Sequence, residues 1–329
     1  MTRQVRVHQF GGPEVLQIED LELGVPGPGD VRLAIRAIGL NRTEITLRSG
    51  KSYAKPPLPT PIGFEAAGVV EAIGPDVTNV SVGDHVALVP AYSAAQYALY
   101  GEAAIVAARH LEIIPAGVGF EDAAATWAAF GTAWSGLVHI GELAADKSVL
   151  ITAASSSVGL AAIQIARRLG ARPIALTRTS AKTDALLAHG AAAVVATAEQ
   201  DLFAEVKRLT NDAGADLVFD AVGGPLFADL ARATRSGGAL LMYGALSTAP
   251  TEIPPFEVFI RDLTVRGVAL PGVTRNPEAL AKMTAFVTSG LADKSLRPVI
   301  AHTFAFEDII DAHRYMEAGE QVGKIVIRV

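Results

Sequence analysis

The stretch VLITAASSSVGLAAIQIARRLGA, residues 149–171, decides the fold. Residues 149–153 form an apolar run and residues 154–157 are small; Val158, Ala161, Ile163, Ile165 and Leu169 then recur at helical spacing. The pattern predicts a strand, a tight turn and a helix. Such a turn leaves backbone N–H groups unpaired at the helix N-terminus, where the helix dipole adds positive potential, and together they suit a phosphate. Folds that seat a dinucleotide pyrophosphate there ordinarily use three glycines: for the turn, for close phosphate approach and for helix packing. Ala154, Ser156 and Gly159 stand at those positions, so only the third glycine is kept. A buried strand leading into an alanine-rich helix with a serine cap reads the same way, and the neighbouring sequence has to arbitrate.

Downstream, strands are predicted at 172–177, 192–195, 216–222, 239–244 and 263–268, and helices at 180–189, 199–210 and 226–235. With the opening strand this alternation makes a six-stranded, doubly wound parallel sheet in an α/β fold. Upstream, residues 1 to about 125 read as short strands broken by GGPEV at 11, GVPGPGD at 24, IGPDV at 73 and SVGDHV at 81. Val31, Leu33 and Ile35 alternate with Arg32, Ala34 and Arg36, as in a half-buried strand, and the texture suggests a small barrel or sandwich. The tail returns to a helix at 277–289 and a last strand at 324–329. We assign it to the first domain, giving 1–124 with 269–329 as one domain and 125–268 as the other.

Composition narrows the function classes. The 329 residues are 50% apolar, enough for two cores. No cysteine is present, which removes disulfides, thiolate nucleophiles and cysteine-ligated zinc, and the seven histidines form no ligand-spaced cluster. A net charge of -6 without basic runs argues against nucleic acid as a partner. No apolar run reaches the roughly 18 residues a membrane helix requires; residues 123–140 read as buried helix, with Trp127 and Trp134 on one face. A charged N-terminus without a following apolar core predicts no secretory signal, and a cytoplasmic location is expected.

In this order of elements, GGPEVL at 11, GLN and RSG within 39–50, GFEAAGVV at 63, AASSSVGLAA at 153, VFDAVGG at 218, LMYGALS at 241 and VGKIVI at 322 resemble the medium-chain dehydrogenase/reductase superfamily. The nearest resemblance is to its zinc-free quinone oxidoreductase (zeta-crystallin-like) branch. It implies a Rossmann six-stranded sheet plus a discontinuous GroES-like β-barrel domain. The zinc alcohol dehydrogenases of the superfamily carry a cysteine where this chain has Leu40-Asn41-Arg42, a histidine where it has Phe64, and a cysteine-rich lobe where it has AYSAAQYALYG at 91. The branch usually has two glycines where Ser156 and Ser157 stand; the hydroxyls suit a phosphate, while the β-carbons narrow the turn.

NADPH is the expected cofactor. In NAD-specific folds an acid at the end of the second strand accepts the ribose hydroxyls; here that strand ends Thr177-Arg178-Thr179-Ser180-Ala181-Lys182, with two cations suited to a 2′-phosphate. Solvated residues at a helix start are the bland alternative. Lys182 matches the family position for that phosphate, whereas a tyrosine often found near Thr197 is missing. The cofactor-binding set is Thr132, Ser155, Ser156, Ser157, Val158, Arg178, Lys182, Val222, Gly244, Ala245, Leu246 and Lys324, several of them implied by the resemblance. Asn41 matches the family asparagine of the cleft, its amide suited to a substrate carbonyl, and Tyr53 follows RSG where relatives carry a tyrosine near the nicotinamide. A turn asparagine, a loop tyrosine and a Thr132 bonded to its own helix backbone are the structural alternatives. Glu44, Glu65 and Asp220 are not read as a catalytic carboxylate set. The expected activity is zinc-independent hydride transfer to a small-molecule quinone or to the C=C bond of an enone or 2-alkenal, by a homodimer paired through its sixth strand, with neither nucleic acid nor membrane as partner. An enoyl-thioester reductase and a non-catalytic NADPH-binding sensor or structural protein are the alternatives.

Overall fold

Ser148–Ile151 is buried along its whole length, as a strand covered on both faces must be, and it lies at the centre of a six-stranded parallel sheet. The computed structural model describes residues 1–52 and 55–329. From edge to edge the sheet runs Ala193–Ala196, Arg172–Thr177, Ser148–Ile151, Ala215–Asp220, Thr234–Met242 and Thr264–Gly267. The chain leaves the first strand in one direction and restarts with the fourth on its other side. That order creates a switch point, and the loops at the carboxyl ends of its strands form a crevice for ligands.

Helix Ser157–Arg168 buries Leu160, Ala161, Ile163 and Ile165 and places Arg167 and Arg168 in its last turn, where the dipole favours cations. The fifth strand begins at Thr234 rather than 239, its start hidden in sequence by Ser236, Gly237 and Gly238; helix Leu226–Ala233 ends correspondingly early. The predicted helix at 180–189 divides into a short tight turn, Ser180–Lys182, and Thr183–Ala188.

The chain divides into two compact units: Met1–Ala128 with Thr284–Ala292 and Arg297–Val329, and Ala129–Met283 with Asp293–Leu296. Residues 269–283 therefore group with the parallel-sheet unit and not, as expected, with the first domain. The packing agrees: Leu270 and Met283, both buried, close on Gly131 within the same unit. The predicted helix at 123–140 is instead Phe120–Ala124, Trp127–Trp134 and a wider turn, Ser135–Ile140; both tryptophans are buried.

In the first unit, a sheet runs Ile300–Ala305, Lys324–Arg328, Asp30–Gly39, Glu65–Ile73, His85–Leu88 and Leu111–Ile113, with Ala103–Ala107 also on Asp30–Gly39. Leu16–Leu21, Thr2–Val7 and Thr60–Pro61 form a second sheet. Strand Ile300–Ala305 and helix Ile309–Ala318 are absent from the sequence reading. The helix had a readable signal: Ile309, Ala312, His313 and Met316 repeat at helical spacing, and all are buried. No helix of the described residues is long and apolar enough to cross a membrane.

Candidate functional site

The serine turn is held from within. Ser156 caps helix Ser157–Arg168 by accepting a hydrogen bond from the Gly159 amide at 3.0 Å, leaving the amides of Ser157 and Val158 in the first turn, where a helix supplies no acceptor. Gly159 is required for contact: a β-carbon there would lie 2.6 Å from the Ala154 carbonyl oxygen and 2.7 Å from that of Ala153. Ala153 adopts a left-handed φ of 45°. Lys182 reaches back from the tight turn after the second strand to donate to Ser155 Oγ at 3.3 Å, bringing an ammonium to the serine turn. Arg178 is exposed just past that strand.

The remaining loops at this end are organised by the buried Asp220. Its carboxylate accepts from the Thr152 hydroxyl at 2.7 Å and from the Val222 and Gly223 amides, each at 2.9 Å. The Leu246 amide then donates to the Ala221 carbonyl at 3.0 Å and Ser247 to that of Val222 at 2.9 Å, so Val222, Gly244, Ala245 and Leu246 lie together. Thr132 is half-buried in its own helix. One acid escaped the sequence reading: the Glu199 carboxylate accepts from the Ser180 amide at 3.1 and 3.2 Å, beside the end of the second strand. It lies 19 residues further on, beyond any local motif. Unpaired first-turn amides, three hydroxyls and a nearby ammonium form a set of donors that fits a pyrophosphate with an adjoining phosphate.

In the first unit, strand register gathers a second cluster. Gly39 pairs with both Val326 and Glu65, placing Lys324 and Glu65 near Asn41, which follows the strand. A β-carbon on Gly39 would sit 2.0 Å from the Ala124 carbonyl oxygen and 2.9 Å from the Glu65 side chain. Lys324 and Glu65 form an ion pair with side chains only 1% exposed. Lys324 Nζ also donates to Asn41 Oδ1 at 2.7 Å, and Glu65 accepts from the Ala128 amide at 2.8 Å. The Asn41 amide group donates to the Gly39 carbonyl at 3.0 Å and to Glu65 at 3.2 Å. Both its hydrogens are therefore engaged, and the expected presentation of that amide to a carbonyl is not what this arrangement offers; Asn41 instead aims its oxygen at the Lys324 ammonium. Tyr53 lies outside the described residues.

Glu44, set aside in the sequence reading, completes this cluster, whereas Asp220 belongs to the other unit. Fully buried, Glu44 accepts at Oε2 from the Asn41 backbone N–H at 2.5 Å and from the Tyr100 hydroxyl at 2.8 Å; Oε1 has no partner. Burial, only partly offset by those hydrogen bonds, raises its pKa to about 7, and the proton belongs on the bare Oε1. Since Tyr100 gives its hydrogen to Glu44, the contact of His313 Nε2 with the Tyr100 hydroxyl, 3.2 Å, makes Nε2 the donor and leaves Nδ1 bare. Burial, with Arg48 nearby, lowers the His313 pKa to about 3. Among the described residues no group of three or more acidic, histidine or cysteine side chains is placed to hold a metal.

Comparison with known proteins finds a zinc-binding dehydrogenase family model over residues 157–289 and an alcohol dehydrogenase GroES-like domain over 27–136. A quinone oxidoreductase of Sus scrofa is 30% identical over 325 residues, covering 98% of this chain and 96% of the relative. One from Pseudomonas aeruginosa is 36% identical over 223 residues, 68% of this chain and 67% of its own. Among solved structures, an NAD-dependent alcohol dehydrogenase superposes with a TM-score of 0.91 at 31% identity, over 99% of each chain. An Escherichia coli quinone oxidoreductase complexed with NADPH gives 0.91 at 29% identity, over 99% of this chain and 100% of that one.

Proposed function

The chain belongs to the medium-chain dehydrogenase/reductase superfamily, in its quinone oxidoreductase branch, and from that premise we propose that it is an NADPH-dependent, zinc-independent oxidoreductase reducing a quinone or the activated C=C bond of an enone or 2-alkenal. The observation that carries the reading is the serine turn with the Lys182 ammonium on Ser155, at the carboxyl end of the central parallel strand. Relatives solved with NADPH support it.

NADPH, when bound, supplies the hydride. The chain's share is binding, orientation and charge. The amides of Ser157 and Val158 and the hydroxyls of Ser155, Ser156 and Ser157 take the pyrophosphate, while Arg178 and Lys182 take the 2′-phosphate. Val222, Gly244, Ala245 and Leu246, held together by the Asp220 loop, shape the same end of the sheet, and Thr132 and Lys324 complete the cofactor set. In the first unit, Glu65 and Asn41 hold the Lys324 ammonium as a fixed positive charge, suited to the negative charge that develops on a reduced carbonyl oxygen. Tyr53 is proposed as a hydrogen-bond or proton donor to that oxygen. What supports zinc independence is the sequence: the chain has no cysteine, and Leu40-Asn41-Arg42 and Phe64 stand where the zinc enzymes of the superfamily carry a cysteine and a histidine.

Glu199 favours a second reading, NADH, because a carboxylate near the second strand accepts ribose hydroxyls and repels a phosphate. Here it is occupied by the Ser180 amide, and Lys182 lies at the turn, so NADPH is preferred. A homodimer is proposed from the edge strand Thr264–Gly267, mostly exposed, and from Phe256, Phe259 and Ile260 exposed on helix Pro255–Ile260; a monomer mass in analytical ultracentrifugation would refute it. The proposed place of action is the cytoplasm.

The functional test follows NADPH absorbance with a 1,4-quinone, a cyclic enone, a 2-alkenal and a simple ketone, each repeated with NADH. Oxidation with quinone or enone, none with the ketone and slower rates with NADH are expected. Tightly held zinc required for turnover would overturn the zinc-independent reading, and NADPH binding without turnover of any acceptor would favour a sensor.

A further inference from the structure

The loops that follow the second and third strands of the parallel sheet are zipped together beyond the strands themselves. Thr177 and Ala196 are the last paired residues, yet the Thr197 amide donates to the Thr177 carbonyl at 2.8 Å and the Ala198 amide to that of Arg178 at 2.9 Å. The amides of Glu199 and Gln200 both donate to the Ala196 carbonyl at 2.9 Å, and Gln200 Oε1 accepts from the Ala196 amide at 2.8 Å. The main chain at Glu199 is therefore fixed without help from its own side chain. That side chain crosses to the neighbouring loop and takes the Ser180 amide on both carboxylate oxygens, at 3.1 and 3.2 Å.

Ser180 follows Arg178 by two residues and precedes Lys182 by two, and these are the cations proposed for the 2′-phosphate. The carboxylate is thus anchored between them in the chain, past the carboxyl end of the second strand, where the adenosine ribose of a dinucleotide lies. Its partner is a neutral N–H, which orders the carboxylate but does not cancel its charge. A 2′-phosphate would meet attraction from Arg178 and Lys182 and repulsion from Glu199. Two cations against one acid leave a net attraction, but the acid subtracts from it; NADH has no such phosphate and is spared the loss. We infer that Glu199 is a specificity-determining residue: its carboxylate, held by the Ser180 amide, narrows the preference for NADPH over NADH that Arg178 and Lys182 create. The discriminating acid, which in NAD-specific folds belongs to the end of the second strand, is supplied here from the loop after the third. The inference rests on the dinucleotide reading given above.

The test is Glu199→Gln, which keeps an oxygen to accept from the Ser180 amide and removes the charge, beside Glu199→Ala, which removes both. Glu199 is exposed and its main chain keeps its own hydrogen bonds, so both variants should fold as the wild type does. Dissociation constants for NADPH and NADH are measured by fluorescence titration of the full chain at low and at high salt. At low salt the ratio of the NADH constant to the NADPH constant should rise about two- to fivefold in Glu199→Gln, through tighter NADPH binding. Glu199→Ala should raise it at least as much. At about 1 M salt, where the screening length falls to about 3 Å, the difference between Glu199→Gln and wild type should vanish. An unchanged ratio in Glu199→Gln, a rise in one variant without the other, or a rise in Glu199→Gln that persists at high salt would each overturn the inference. Wild-type protein that binds neither dinucleotide would instead defeat the dinucleotide reading itself.

Discussion

Lys182 is the residue at which cofactor choice becomes measurable. Its ammonium reaches the serine turn, and a hydrogen bond to a charged group contributes about 1.5–3 kcal/mol. Lys182→Ala should therefore raise the NADPH dissociation constant about ten- to a hundredfold while leaving that of NADH nearly unchanged. Equal loss for both dinucleotides in a fluorescence titration would show that Lys182 supports the turn and not the 2′-phosphate. Sequence gave access to Lys182 because it sits near the end of a strand whose limits are local. It gave no access to Glu199, which meets the Ser180 amide only because the third strand runs parallel to the second and brings the loop after it alongside. Asn41 shows the opposite case: its position was legible, but the direction of its amide depends on Gly39, Glu65 and Lys324, contributed by three strands.

At the scale of elements, the strand–turn–helix of residues 148–168 carries its own strain. Ala153 sits at a φ of 45°, where a β-carbon costs about 1–2 kcal/mol, while glycine would lose about 0.5–1 kcal/mol in the chain entropy of the unfolded state. Ala153→Gly should therefore stabilise the protein by up to about 1 kcal/mol and raise the melting midpoint by about 1–3 °C. A fall in the midpoint would show that the neighbouring packing, not the dihedral, governs this site. All six strands of the parallel sheet were expected from the sequence, the central ones because each carries a short apolar run bounded by turn residues, whereas the start of the fifth, Thr234–Met242, was hidden by Ser236, Gly237 and Gly238. Strand Ile300–Ala305 was not: as an edge strand it is only partly buried, and its alternation is weak.

At the scale of the molecule, Glu44 and His313 oppose one another across Tyr100. Glu44 keeps its proton more tightly when folded, about 7 against an ordinary 4.5, so its contribution is complete below about 4.5 and is lost as pH rises toward 7. His313 is held neutral, about 3 against 6.5, so its contribution is complete above 6.5 and is lost as pH falls toward 3. Between about pH 4.5 and 6.5 the two slopes cancel. Glu44→Gln should remove one of them, and stability from urea unfolding should then rise with pH across that window by up to about 3 kcal/mol, at 1.36 kcal/mol per tenfold change in proton affinity. An unaltered pH profile in Glu44→Gln would show that Glu44 is ionised across the window.

The sequence by itself determined the parallel-sheet fold, the serine turn at its centre and the cations beside it, because these follow from periodicity and turn chemistry local to each successive element. Tertiary structure alone decided the rest. It placed residues 269–283 in the second unit, with Leu270 and Met283 packed on Gly131, and enclosed Lys324 with Glu65 by strand register. It also turned Glu44, Tyr100 and His313 into one buried column. Each of these joins residues distant in the chain, and the physical quantity that matters, burial of a polar group with or without a partner, has no counterpart in local sequence.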